Sequence, residues 1–267
     1  MLKTYRQLID LDQDSSKIST VQFGKDVYDS LESEILFFKN LPRQSQDWIY
    51  RTKKVNYTTN GQWYRCKPFD QINWNNSIVI FGCSNVFGLG VDDNDTLAAR
   101  LQSLTNCDVI NLGVRGSCQL FNLYNMILLK NKNIKPKAII HVWTDSKRPF
   151  TVDVNYNIEH HGNWNDYGAT TPTPLNQLFG NYKSHIVSAM FNRMIANTVY
   201  NDIPVIHATY FNELWKEQTL RYPNLPIIFF PTKDWARDLK HPGIESHINA
   251  ADLLYQELIK TGMSGGT

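Results

Sequence analysis

Three residues of the types that run nucleophilic chemistry stand at two distant places in this sequence: Ser84, and the pair Asp238 and His241. Ser84 closes the run Ser77-Ile-Val-Ile-Phe-Gly-Cys-Ser84, just past a short apolar, β-branched stretch. A hydroxyl there needs a base to become a nucleophile. Asp238-Leu-Lys-His241 puts a carboxylate within one turn of backbone of an imidazole. A carboxylate at that reach holds Nδ1–H, fixes the tautomer and stabilises the imidazolium formed when the ring takes a proton. Taken singly, such a serine more often caps a helix, and such a pair more often lies on the surface. A third element, Asn111-Leu-Gly-Val-Arg-Gly-Ser117, carries two glycines that let a backbone N–H approach a ligand, or simply make a βα turn.

The elements that must position these residues are legible from periodicity. Ile78–Phe81, Val109–Leu112, Ala138–Trp143, Val205–Thr209 and Ile227–Phe230 read as buried strands. Helical patterns fill the gaps at Thr96 to Leu104, Cys118 to Leu129, Lys183 to Tyr200 and Ile244 to Ile259. Alternating strands and helices predict an α/β fold, a mostly parallel sheet covered on both faces. Ligand sites of such sheets form outside the carboxyl ends of the strands, where Ser84 stands. The acidic run Val91-Asp-Asp-Asn-Asp-Thr96 is expected near a helix N-terminus, where the dipole favours it.

Residues 1–76 are polar and weakly periodic and read as a cap or wrap on a main domain of residues 77–262. Within them, Asp26 to Phe38 fits an amphipathic helix, and Val55 to Tyr64 alternates around Asn60-Gly61 as a hairpin or turn signal. Residues 151–182 interrupt the alternation with an Asn-, Thr-, Gly- and Pro-rich insertion, expected to cover a substrate. Residues 263–267 read as a frayed tail.

At this point the combination resembles the SGNH, or GDSL-type, hydrolase family. Gly82-Cys83-Ser84 with Phe87-Gly88-Leu-Gly90 is similar to the first block, Asn111 to Gly116 to the second, and Asp238-x-x-His241-Pro242 to the last, in the family's order over about residues 77–260. The resemblance implies a three-layer α/β/α sandwich with a flavodoxin-like central sheet. It makes Ser84 the nucleophile, His241 the base and then acid, and Asp238 its orienting carboxylate. The Ser84 and Gly116 amides would form the oxyanion hole. Two departures are plain: Cys83 replaces the first block's aspartate, and His141-Val-Trp-Thr-Asp-Ser-Lys-Arg148 lacks the asparagine expected of the third block. Thr144 or Ser146 would have to supply that donor. Asp145 and Arg148 become candidate substrate-binding residues, although an ionised Asp145 would repel an oxyanion. The implied activity is carboxylic ester hydrolysis through an acyl-enzyme, without cofactor, on a small-molecule or glycan ester. The polar, aromatic insertion with Trp164, Tyr167 and Tyr182 tilts the expectation toward O-acetyl groups on carbohydrate. The alternative is a catalytically silent glycan-binding or structural module of the same fold.

Other chemistries find less support. His160-His161 with His185 or Asp166 matches no metal-ligand spacing, so no metal is expected. Gly82 to Gly90 lacks the Gly-Lys-Ser/Thr ending of a phosphate loop. A net charge of +2 over 267 residues leaves no nucleic-acid or membrane footprint. The four cysteines show no paired spacing, and no apolar leader opens the chain, so reduced thiols and a cytoplasmic location are expected. Nothing in the sequence specifies an oligomeric state.

Overall fold

The computed structural model describes residues 8–22, 34–145, 148, 150–152, 158–160 and 182–263. At its centre lie five strands: β3 (Ser77–Gly82), β4 (Asp108–Gly113), β5 (Ala138–Trp143), β8 (Val205–Thr209) and β9 (Ile228–Phe229). They form one sheet in the order β4-β3-β5-β8-β9, every neighbouring pair parallel. Counted along the chain this is 2-1-3-4-5, the flavodoxin-like order, with β3 at the point where the winding reverses.

Strand periodicity builds the two faces. Val79 and Phe81 point to one side, with Ile110, Leu112 and Ile139. Ile78 and Ile80 point to the other, with Val109, Ile140 and Val142. Every residue of β3 and β5 is buried, as expected of strands covered on both faces. The first face is covered by α4 (Gln119–Asn131), α5 (Tyr182–Val199) and α6 (Asn212–Arg221), which contribute Leu123, Met126, Ala189, Ala196 and Leu214. The second is covered by α3 (Leu97–Leu104) and α7 (Ile244–Lys260), through Leu97, Leu101, Ala250, Leu254 and Leu258. The result is a three-layer α/β/α sandwich. Helix α6 escapes periodicity because Leu214 and Gln218 are its buried residues and the rest is largely polar.

In the N-terminal segment Asn60-Gly61 makes a turn and not a hairpin. Strand β2 (Asn56–Thr59) does not pair with residues beyond Asn60-Gly61 but with β1 (Ser19–Gln22), antiparallel, Val21 opposite Tyr57. The turn itself forms, Asn60 N–H donating to the Tyr64 carbonyl at 2.9 Å. Trp63 then takes a left-handed φ of 66°, and Gln62 turns its side-chain amide to the Asp10 and Gln13 carbonyls. An extended return strand is thereby lost. Helix α1 spans Glu34–Asn40, and the expected helix's residues 26–33 lie outside the described residues. Most of the 151–182 insertion also lies outside them. At its start the backbone forms a two-stranded ribbon, β6 (Phe150–Val152) with β7 (Ile158–His160).

The acidic run 92–95 stands just before α3, as expected. Thr96 caps α3, accepting the Ala99 N–H at 3.2 Å. The aspartates also bind the N-terminal segment and α3. Asp92 takes the Asn56 amides, Asp93 takes Thr58 N–H and Arg65, and Asp95 pairs with Lys53 and Arg100. No described helix is long and apolar enough to cross a membrane.

Candidate active site

Ser84 opens α2 (Ser84–Phe87), a single turn that starts where β3 ends. The Cys83 carbonyl accepts the Val86 and Phe87 amides, both at 3.0 Å, which turns the chain sharply over the sheet edge. The left-handed Gly88 closes the turn. Strand β4 meets it at Gly113, where an added Cβ would overlap the Phe87 nitrogen and lie 2.8 Å from the Val86 carbonyl carbon. Asn111 fastens the same contact by donating to the Val86 carbonyl at 2.8 Å, while its side-chain oxygen accepts Gly113 N–H at 3.0 Å. The second sequence block thus holds the turn that carries Ser84.

His241 arrives from the other end of the chain. Its Nε2 lies 2.8 Å from Ser84 Oγ, across 157 positions of sequence. Its Nδ1 is hydrogen-bonded to Asp238 Oδ2. Asp238 Oδ1 accepts the Lys240 and His241 amides at 3.0 and 3.1 Å. The Asp238 side chain is fully buried and that of His241 12% exposed, so the carboxylate is dry. Leu239 adopts φ 59°, the left-handed turn that folds both amides onto one carboxylate oxygen. With Asp238 accepting from Nδ1–H, Nε2 holds the lone pair and accepts the Ser84 hydroxyl proton.

Asp234 is a contributor that sequence reading missed. Its carboxylate accepts the Glu245 and Ser246 amides at 3.2 and 2.8 Å, capping α7 two residues after His241. The helix's own cap position is Gly243, which has no side chain, so a remote aspartate does the work. The only sequence clue was Ser246, whose hydroxyl binds the same carboxylate at 2.8 Å.

The Gly116 amide, in a left-handed turn at φ 66°, donates to no acceptor among the described residues. Ser84 N–H opens a helical turn, where amides have no partner within the helix. Thr144 follows β5, fully buried, its hydroxyl without a partner among the described residues. Its carbonyl accepts the Gln119 side-chain amide at 2.8 Å, and Asn192 in turn donates to Gln119 at 3.1 Å. Asp145 is partly exposed, and the Arg148 guanidinium lies 6.0 Å over the Phe211 ring. Ser146 lies outside the described residues.

Three buried histidines stand near this edge without belonging to the Ser84 cluster. His141 stacks on Trp143 at 3.6 Å, and Trp143 Nε1 donates to His207 at 3.0 Å. Burial holds all three rings in the neutral form: His141 well below the usual imidazole range, His207 and His247 at about 3. The four cysteines are free thiols, and burial pushes Cys118 up to about 11. Among the described residues no group of three or more His, Cys, Asp or Glu is disposed to hold a metal ion. His161 and Asp166 lie outside the described residues, and His160 and His185 are described in backbone only.

No protein-family model matches the chain, and no curated protein matches it. Several solved structures are similar. A GDSL-like lipase from Bacteroides ovatus shares 17% identity at a TM-score of 0.44, over 72% of this chain and 55% of its own. The esterase EstA from Pseudoalteromonas shares 13% at 0.43, over 69% and 97%. An acetyl xylan esterase from the rumen bacterium Butyrivibrio proteoclasticus shares 13% at 0.43, over 79% and 68%. The chain thus spans little more than half the length of the first. GDSL-type proteins are also the family that the sequence blocks resemble, and the activities in these names belong to those proteins.

Proposed function

We propose that this chain is a serine ester hydrolase of the SGNH type, with Ser84, His241 and Asp238 as its triad. The observation that carries the reading is the continuous hydrogen-bonded line from Ser84 Oγ through His241 to Asp238, with 2.8 Å at the serine end. His241 Nε2 takes the Ser84 proton as Oγ attacks the ester carbonyl carbon. The carbonyl oxygen becomes an oxyanion facing the Ser84 and Gly116 amides; the Thr144 hydroxyl, which has no exposed surface in this structure, joins them as a third donor only if the end of β5 opens toward the oxyanion. As the C–O bond breaks, His241 returns the proton to the leaving alcohol, and an acyl-Ser84 ester remains. Water enters, gives a proton to His241 and attacks the acyl carbon; collapse frees the acid and restores Ser84. Preorganised donors of this kind each contribute about 10²–10³ in rate.

In this reading residues 77–262 are the hydrolase domain and residues 1–76 wrap it. The substrate class is a short acyl ester on a carbohydrate. Trp235 supports it: it is 53% exposed and its backbone bridges to Pro242, the residue after His241, so an exposed aromatic residue stands in the loop that carries the base. Asp145 and Arg148 would bind sugar hydroxyls at the rim.

Fluorophosphonate labelling tests the reading. The wild type is expected to label on one serine and Ser84→Ala to lose the label, with acetylated xylan or short p-nitrophenyl esters preferred over long acyl chains. The missing third-block asparagine favours one other reading, a silent glycan-binding module. Absence of labelling between about pH 6 and 9, where neutral imidazole is the base, would select that reading instead.

A further inference from the structure

The N-terminal segment reaches into the site through one buried arginine. Arg65 has a side chain only 3% exposed, and all five of its N–H donors are used. Nη1 donates to the carbonyls of Phe87 at 3.0 Å and Gly88 at 2.7 Å, the end of the turn that Ser84 begins. Nη2 donates to Val91 at 2.9 Å and to Asn56, in β2, at 2.7 Å. Nε donates to Asp93 Oδ1 at 2.7 Å. The guanidinium also lies 4.7 Å from the Tyr57 ring centroid. Few side chains other than a planar fork of five donors can bind four carbonyls and a carboxylate at once.

Tyr57 completes the clamp. Its hydroxyl accepts Gly90 N–H at 2.9 Å. Gly90 is where the nucleophile's half of the site meets the base's half, because its carbonyl accepts Arg237 N–H at 3.2 Å, one residue before Asp238. The approach is close: a Cβ on Gly90 would sit 2.6 Å from Ala236 Cβ and 3.4 Å from Asp238 Oδ1, and φ there is +83°. The segment also touches the base's loop directly, with the Arg237 guanidinium 4.2 Å over the Phe37 ring of α1.

We infer that Arg65 and Tyr57 are positioning residues, and that the N-terminal segment sets the distance between Ser84 and His241. The inference rests on the hydrolase reading above. Neither residue touches substrate. They act by fixing the 87–91 loop, from which the Ser84 turn is hung on one side and the Asp238–His241 loop on the other. Displacing reacting groups by about 1 Å costs about 10²-fold in rate. Lysine at position 65 offers three donors from a point charge in place of five from a fork, so the loop loses its register while the charge stays.

The test uses the full-length chain and saturation kinetics of fluorophosphonate labelling, which separate the limiting rate from probe affinity. Arg65→Lys is expected to lower the limiting rate about 10²-fold and Tyr57→Phe about tenfold, with probe affinity unchanged. Arg51→Lys is the control. Arg51 binds the Leu41, Gln44 and Ser45 carbonyls within the same segment and does not touch the 87–91 loop. That variant is expected to melt at lower temperature yet label at the wild-type limiting rate. Should Arg65→Lys not fold, Tyr57→Phe, which removes a single oxygen, decides. Wild-type limiting rates in folded Arg65→Lys and Tyr57→Phe would overturn the positioning role alone, as would equal slowing by Arg51→Lys. A wild type that does not label would overturn the hydrolase reading and this inference together.

Discussion

Asp238→Asn is the sharpest probe of the site because the structure separates its two duties. Oδ1 accepts the Lys240 and His241 amides at 3.0 and 3.1 Å, and Oδ2 faces His241 Nδ1. An asparagine can keep the first duty by turning its carbonyl oxygen to the two amides. Its NH₂ then faces Nδ1, which must become the acceptor. The imidazole proton moves to Nε2 and points at Ser84, where an acceptor is needed. The loop therefore stays folded while the base is in the wrong tautomer. The same substitution in a serine-protease triad costs about 10⁴-fold in turnover. At about 1.36 kcal/mol per decade, that is about 5.4 kcal/mol of lost transition-state stabilisation. Steady-state hydrolysis of p-nitrophenyl acetate reads the rate, and thermal melting reads the fold. The expected result is a fall of about four decades with a melting temperature near that of the wild type. A folded Asp238→Asn enzyme within tenfold of the wild type would refute the idea that the carboxylate sets the His241 tautomer.

Two further predictions follow from buried groups. His141, His207 and His247 all have native pKa values held below the usual 6.5, the latter two at about 3. Since the unfolded chain binds their protons first, their neutral forms cost nothing above about pH 6.5, and stability is lost as pH falls from there toward their native values. Each contributes up to about 1.4 kcal/mol per pH unit below about pH 6.5. Urea melts between about pH 7 and 4.5 should show a shallower loss of stability in His207→Gln than in the wild type, and an unchanged slope would show that the ring is not held neutral. Thr144→Val tests a hydroxyl that is buried without a partner among the described residues. The isosteric change should stabilise the fold by about 1–3 kcal/mol, because an unsatisfied group leaves the interior. If the hydroxyl is the third oxyanion donor, turnover falls about 10²-fold in the same protein. Stabilisation without slowing would remove Thr144 from the mechanism.

Much of the architecture was legible because its signals are local. Strands Ala138–Trp143 and Val205–Thr209 match their β-branched runs to the residue, and β3 and β4 extend theirs by one residue at each end. A strand buried on both faces must be apolar throughout, so composition reveals it. The three blocks were legible too, since glycine turns and an Asp-x-x-His-Pro step need those residue types at that spacing. What lay beyond one sequence is whatever joins distant segments. The β1–β2 pairing spans about forty residues, and Asn60-Gly61 makes its turn without a return strand. The acidic run 92–95 stands before a helix as its composition suggests, but its contacts with Asn56, Arg65 and Lys53 carry no local mark.

From its residues alone, then, the chain determined an α/β fold with a mostly parallel sheet covered on both faces, because periodicity is a property of short stretches, while the resemblance of its blocks proposed that Ser84 belongs with Asp238 and His241. Tertiary structure alone decided that Ser84 and His241 lie in hydrogen-bonding contact across 157 positions. It also decided that Asp234 caps the helix behind His241 and that Arg65 braces the turn behind Ser84. Those are contacts between segments whose local sequences carry no mark of one another. Only the closing of the sheet, with its layers packed at fixed distance, brings them into register.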